Sequence, residues 1–228
     1  MKIIENQIFQ NQIENNLDKI PLEAKKDFEK IKEIFDLEKI HIVGGFARDS
    51  ILQVLYDYKF PLNDLDILIE DKNYDSKILE FKTNSKNRFG NLKLKYANFS
   101  IDSLDIEKIY FLQNKKDKNI ESFLQGCDLT TSAIAYNLKT QKIFSNNALE
   151  DISKKEINFN FQNYLKIAPT LCRLILHSDK MNFSLGESSL NYIKRNYSQE
   201  QDKEILDYLN YKKIPHLFSF VKNQLSKL

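Results

Sequence analysis

The run Gly44-Gly45-Phe46-Ala47-Arg48-Asp49 is followed fifteen residues later by Asp64-Leu65-Asp66, and each half supplies a different part of one chemistry. Adjacent glycines at a strand-to-helix turn let backbone N–H groups approach a phosphate at the positive end of a helix, with no Cβ in the way. Two carboxylates spaced by one residue on a strand project from the same face and can jointly hold hard, oxygen-seeking divalent cations. Such cations neutralise phosphate oxygens and activate an attacking hydroxyl, as phosphoryl or nucleotidyl transfer requires. A glycine pair alone is usually only a turn, and an Asp-x-Asp strand alone is usually an exposed edge. Their occurrence together and in this order carries the signal. Composition reinforces it: the chain has only 5 Gly, and only four of its 34 basic residues are Arg. Arg48, next to the glycine pair, places a planar fork where one suits a phosphate.

The elements that would position these residues are legible on either side. Leu22, Phe28, Ile31, Ile34 and Phe35 recur at helical intervals from Pro21 to Leu37 and predict an amphipathic helix. Lys39 to Val43 is short, β-branched and stopped by the glycines, and Phe46 to Tyr58 resumes helical spacing through Ile51, Leu52 and Leu55. Pro61-Leu62-Asn63 forms a turn that releases a strand with Leu65, Ile67 and Ile69 on one face and Asp64, Asp66 and Leu68 on the other. Asp71 to Lys86 predicts a loop and a helix, and Arg88 to Asn91 a turn. A hairpin follows, Leu92 to Tyr96 and Phe99 to Leu104, then strands at Lys108 to Leu112, Ser132 to Asn137 and Lys142 to Phe144. From Phe161 onward the pattern is helical: a stripe of Leu165, Ala168, Leu171, Leu174 and Ile175, then Leu190 to Tyr197, Ile205 to Tyr211 and Leu217 to Leu225.

The two signature stretches resemble the nucleotidyltransferase head of the bacterial CCA-adding enzyme and poly(A) polymerase family, which carries G-G-x-x-R-D followed by a D-x-D strand. Ile42 to Asp49 matches the first and Asn63 to Ile67 the second. The resemblance implies an α+β fold, with a mixed, mainly antiparallel sheet and flanking helices, followed by a small all-helical extension. It also implies a nucleoside triphosphate substrate, ATP or CTP, and two magnesium ions, with manganese as a substitute. Asp64 and Asp66 would bind the metals, and a third carboxylate on a neighbouring strand would complete the catalytic cluster. Asp102 is preferred for that place, because a buried-strand run leads into it; Asp105 is the alternative, read as the end of the strand. Gly44, Gly45, Phe46, Arg48 and Asp49 would hold the nucleotide.

Further along, Cys127 to Tyr136 resembles the family's R-D-F-T-x-N-A-x-A block, with Asp128 in place to orient Arg48 or the ribose. Gly126 and Cys127 stand where the family has arginines, and Ser132 where it has Asn. Asn147 to Ile152 resembles the G-x-x-D-L turn that closes the head. Pro169 to Phe183 lies over the family's neck, keeping Arg173 and Lys180 at its basic positions, and Arg173 is a nucleotide-binding candidate. The family's E-D-x-x-R block has no counterpart before Leu228. In all, the resemblance covers about residues 38–185.

The rest of the composition sets bounds. The 228 residues, 42% hydrophobic and 29% charged, describe a globular chain, divided here into a head of residues 1–160 and a helical extension of residues 161–228. A formal charge of +2 advertises no strong nucleic-acid field. Cys127 and Cys172 lie far apart without a C-x-x-C, so neither a disulfide framework nor a zinc site is expected. No apolar run reaches signal-peptide or membrane-spanning length, and a cytoplasmic setting without membrane partners is expected. The histidines His41, His177 and His216 lack metal-ligand spacing. Tyr192, Tyr197, Tyr208 and Tyr211, beside Lys194, Arg195, Lys212 and Lys213, suit helix packing with snorkelling lysines, or stacking on a nucleic acid strand. The expected activity is metal-dependent transfer of a nucleotide from an NTP to an acceptor hydroxyl, an RNA 3′ end with tRNA first. Nucleotidylation of a protein or small molecule, and a non-catalytic nucleotide-binding module, are the alternatives.

Overall fold

The computed structural model describes residues 1–81, 86, 90–162 and 166–228. These fall into two units: Met1–Gln125 with Ser132–Asn146, and Gly126–Thr131 with Asn147–Leu228. The division differs from a boundary at residue 160. Residues 147–160 belong with the second unit because Glu156–Ile157 forms a strand paired to Ser184–Leu185. Residues 82–85 of the segment read as a loop and a helix over Asp71 to Lys86, Arg88 of the expected turn and the stripe position Leu165 fall outside the described residues.

The first unit is built on a seven-stranded sheet. Its elements are β1 (Lys2–Ile4), α1 (Gln7–Asp18), α2 (Leu22–Ile34), β2 (Ile40–Val43), α3 (Gly45–Tyr56), β3 (Asp64–Ile69), α4 (Tyr74–Lys77), β4 (Lys93–Lys95), β5 (Ser100–Asp105), α5 (Ile120–Gln125), β6 (Ile134–Asn137) and β7 (Ile143–Ser145). The strand order is β1-β7-β6-β2-β3-β5-β4, and every pairing is antiparallel except β3 with β5. The expected α+β architecture, with a mixed and mainly antiparallel sheet and helices around it, is therefore the observed one. Ile40, Ile42, Leu65, Ile67 and Leu68 are completely buried. Each contributes on the order of 2 kcal/mol of transfer free energy, which is what fixes the register of the two central strands.

Two elements of this unit escape the hydrophobic pattern. α1 buries Phe9, Ile13 and Leu17, but Gln10 and Asn16 complete its inner face. Asn16 Nδ2 donates to Ser50 Oγ at 2.8 Å and to Gln53 Oε1 at 3.0 Å, and Gln12 Nε2 reaches the same oxygen at 2.9 Å. This amide network ties α1 to α3 while satisfying groups whose burial otherwise costs free energy. The Lys108 to Leu112 segment is not a strand. Asp105 accepts the Glu107 N–H at 3.0 Å, and the chain leaves β5 through successive 3₁₀ turns, Ile106–Lys108 and Tyr110–Leu112. Local capping outweighs the β propensity of Ile109, Tyr110 and Phe111.

The second unit comprises α6 (Ala148–Lys154), β8 (Glu156–Ile157), α7 (Ala168–Met181), β9 (Ser184–Leu185), α8 (Glu187–Asn196), α9 (Asp202–Tyr211) and α10 (Phe218–Leu225). Its core contains Ile152, Leu171, Cys172, Leu174, Met181, Ile193, Ile205, Leu209 and Val221. The helical pattern from Phe161 onward is thus present, with one short parallel strand pair added to it. A Cβ on Gly186, just after β9, would lie 2.1 Å from Asn158 Oδ1, so a larger residue there would have to displace the Asn158 side chain.

Candidate active site

β2 ends at Val43, and Gly44 turns the chain into α3 with φ 65° and ψ −128°, a combination that side chains other than hydrogen do not tolerate. Its amide donates to Ile134 O at 3.3 Å, which pins the turn to β6. The N–H groups of the first turn of α3, on Gly45, Phe46 and Ala47, precede the first intrahelical donor, the Arg48 N–H that bonds Gly44 O at 3.1 Å, and sit at the positive end of the helix dipole. The Phe46 side chain is buried in the core, so this residue offers the turn only its backbone.

Beside the turn lies β3. Val43 pairs with Asp66, and Asp66 pairs in parallel register with Asp102 of β5. A Cβ on Gly44 would stand 3.6 Å from Asp66 Oδ2, so the glycine turn and the second aspartate are immediate neighbours. Alternation places Asp64, Asp66 and Asp102 on one face of two adjacent strands. Asp64 is exposed, while Asp66 and Asp102 are partly buried. Three hard carboxylate donors on one face fit a magnesium or manganese site in chemistry. As they stand, no three His, Cys, Asp or Glu side chains among the described residues converge closely enough to enclose a metal ion. Asp102 is engaged in another way: Lys93, directly opposite it on β4, places its ammonium against the carboxylate. Lys93 is the site residue that sequence reasoning missed. A lysine in an alternating edge strand carries no signal until the register shows what it faces.

Asp105 is placed differently. It pairs with Ile69 at the far end of β5, lies on the opposite face from Asp102, and is 4% exposed. Burial pushes its carboxyl above the ordinary value, against the opposing pull of the Glu107 N–H and of Lys108, whose Nζ is 3.4 Å away. A carboxyl raised in the folded state contributes stability that is fully present below the ordinary carboxylate range and is lost as pH rises through the raised value. Asp105→Asn removes that loss. The difference in melting temperature, variant minus native, is therefore expected to be more positive at pH 7 than at pH 4.

Arg48 is not directed at open solvent. Its Nε and Nη2 both lie 2.6 Å from Asp49 Oδ1, and the two side chains are each 5% exposed. Nη2 is 3.7 Å from where a Cβ on Gly45 would stand, so the guanidinium rests against the glycine turn itself.

In the second unit, Asp128 is buried and grips Arg173 through two guanidinium nitrogens, the Nη2 contact to Oδ1 being 3.2 Å. The bidentate geometry fixes Arg173, whose side chain is 24% exposed. Cys127 and Cys172 are buried and unoxidised, and burial pushes both thiols up, Cys172 to about 12. Neither is a nucleophile at neutral pH. Of the aromatic cluster, Tyr192 stacks on Phe159 with centroids 4.1 Å apart and serves the interior. Tyr211 is exposed and, with Tyr208, lies under the Lys212 ammonium. No helix among the described residues is long and apolar enough to cross a membrane.

No family model matches the chain, and no curated protein matches its sequence. Solved structures do match it. A CCA-adding enzyme in complex with CTP superposes with a TM-score of 0.64 at 15% identity, over 99% of this chain and 56% of that one. A tRNA nucleotidyltransferase complexed with a primer tRNA and an incoming ATP analogue gives a TM-score of 0.60 at 17% identity, over 83% and 57% of the two chains. The Bacillus stearothermophilus CCA-adding enzyme in complex with CTP gives 0.56 at 16%, over 80% and 48%. At these identities the likeness establishes the fold. The chain spans about half the length of these solved enzymes.

Proposed function

We propose that this chain is a nucleotidyltransferase that moves a nucleotide from ATP or CTP to an acceptor hydroxyl, with the 3′ end of an RNA, tRNA first, as the acceptor. The observation that carries the reading is the placement of Asp66 between Gly44 and Asp102. A phosphate-binding turn, a D-x-D strand and a third acid are register neighbours on one sheet. The solved structures of the same fold, described as complexes with ATP, CTP and a primer tRNA, support the substrate class.

In this reading Asp64, Asp66 and Asp102 would hold two magnesium or manganese ions, and the ions would supply charge neutralisation at the phosphate oxygens and activation of the acceptor hydroxyl. The chain's own groups do the rest. N–H groups of the first turn of α3 bind the triphosphate, and Gly44 lets them approach it without a side chain between. Arg48, held by Asp49, keeps the turn in shape and adds positive charge behind it. In the second unit, Asp128 holds Arg173, the nucleotide-binding candidate there, through two guanidinium nitrogens. The acceptor oxygen bonds to the α-phosphorus, the bond to the β-phosphoryl oxygen breaks, and pyrophosphate leaves.

The test is incubation of the protein with each α-labelled NTP, magnesium or manganese, and total RNA, with label followed by electrophoresis. Label is expected in RNA, in the size range of tRNA, and to depend on the divalent cation. Label in protein or in a small molecule assigns a different acceptor to the same chemistry. Absence of label with every NTP and both cations overturns the enzymatic reading and leaves a binding module.

A further inference from the structure

Lys93 occupies a position of consequence. It is the register partner of Asp102 across β4 and β5, so its side chain lies on the same face as Asp64, Asp66 and Asp102. The ammonium meets Asp102 Oδ2, with the lysine side chain 29% exposed and the aspartate 16%. Three carboxylates and one ammonium on a common face sum to −2 rather than −3, and the acid that loses most of its field is the third. A divalent cation and this ammonium seek the same oxygen. Lysine suits a role of temporary counter-ion, being a compact point charge on a flexible four-carbon stem that can leave without breaking a bidentate fork.

We propose that Lys93 is a positioning residue that holds Asp102 as its counter-ion in the metal-free state and competes with divalent cations for it. Asp64 and Asp66 would then offer a cation its first ligands, and Asp102 would join them only as the Lys93 ammonium moves away. The inference rests on the nucleotidyltransferase reading, because it takes the three acids as a metal site. Lys93 therefore sets how tightly the cluster holds metal, and the ammonium released from Asp102 stays on the face that receives the triphosphate.

Manganese binding, followed by the loss of the free-ion electron paramagnetic resonance signal on the whole chain without nucleotide, tests this apart from turnover. Lys93→Met keeps most of the stem and removes the charge; it is expected to bind manganese about tenfold tighter than the native chain, a Coulombic effect of this size following from one unit charge removed near a partly exposed site. Lys93→Arg keeps the charge and is expected to bind within about twofold of native, on the same electrostatic argument. Asp102→Asn in the Lys93→Met background is expected to erase the gain. Circular dichroism and melting curves check that each variant is folded, and Lys93→Gln serves in place of Lys93→Met if the latter is not. Native-like affinity in the charge-removing variant, with binding lost when Asp64 and Asp66 are replaced, overturns the inference alone. Absence of manganese binding in every chain at millimolar metal overturns the metal-site reading and the inference with it.

Discussion

Replacement of Asp64 and Asp66 together by alanine is expected to lower NTP-dependent labelling by at least about a thousandfold while leaving the fold intact. The magnitude follows from the chemistry: several kcal/mol of transition-state stabilisation depend on cations held at these two positions, and each 1.4 kcal/mol or so is tenfold in rate. The fold survives because neither side chain belongs to the core. Asp64 is exposed at the first position of β3 and Asp66 is partly buried, whereas Leu65 and Ile67 between and after them are fully buried and carry the strand's packing. Removing two like charges from one face also relieves mutual repulsion. Thermal unfolding is therefore expected within a few degrees of native, and the label assay with either cation reads the loss. Asp66→Asn, which preserves volume and one acceptor oxygen, provides an independent variant. Labelling that persists in both variants sinks the assignment of the site.

Much of this site is local in sequence, and that is why it can be read there. The glycine turn and the Asp-x-Asp strand each lie within a few residues, and strand periodicity suffices to put Asp64 and Asp66 on one face. Asp102 and Asp105 look alike in sequence, because both follow apolar residues in an alternating strand. The register places them differently: Asp102 opposes Asp66, while Asp105 opposes Ile69 and turns its carboxyl to cap the following 3₁₀ turn. Lys93 was invisible for the same reason. Its meaning resides in a pairing with Asp102, nine residues away, and not in its own neighbourhood.

The fold shows a parallel division. Central strands rich in Ile, Val and Leu declare themselves, since their apolar residues recur with strand periodicity. Elements stabilised by polar contacts do not. α1 fills its inner face with Gln10 and Asn16, whose side chains are satisfied by groups on α3 far along the chain. β8 and β9 are two residues each, and nothing in Glu156–Ile157 or Ser184–Leu185 marks them as partners. The expected strand at Lys108 to Leu112 failed in the opposite sense. β-favouring side chains are present, but the cap set by Asp105 and the burial of Ile106 and Leu112 bend the segment into turns.

Arg48→Met is expected to cost on the order of 3–5 kcal/mol of stability, because it leaves the buried Asp49 carboxylate without the guanidinium that both nitrogens now deliver to it. For a chain of this size that corresponds to a fall in melting temperature of roughly 10 °C. Adjacent residues on a helix do not ordinarily face each other. This pair meets because Arg48 is long enough to fold back over the first turn, where its Nη2 rests against Gly45. Neutralising both partners in Arg48→Met/Asp49→Asn removes the buried charge that has lost its guanidinium, and most of the lost stability is expected to return. The double variant also separates two roles for the arginine. If Arg48 acts by holding the turn with Asp49, labelling recovers along with the melting temperature. If its charge is also needed behind the phosphates, the melting temperature recovers while the KM for NTP stays raised. An unchanged melting temperature in Arg48→Met alone would show that the buried pair does not support the turn.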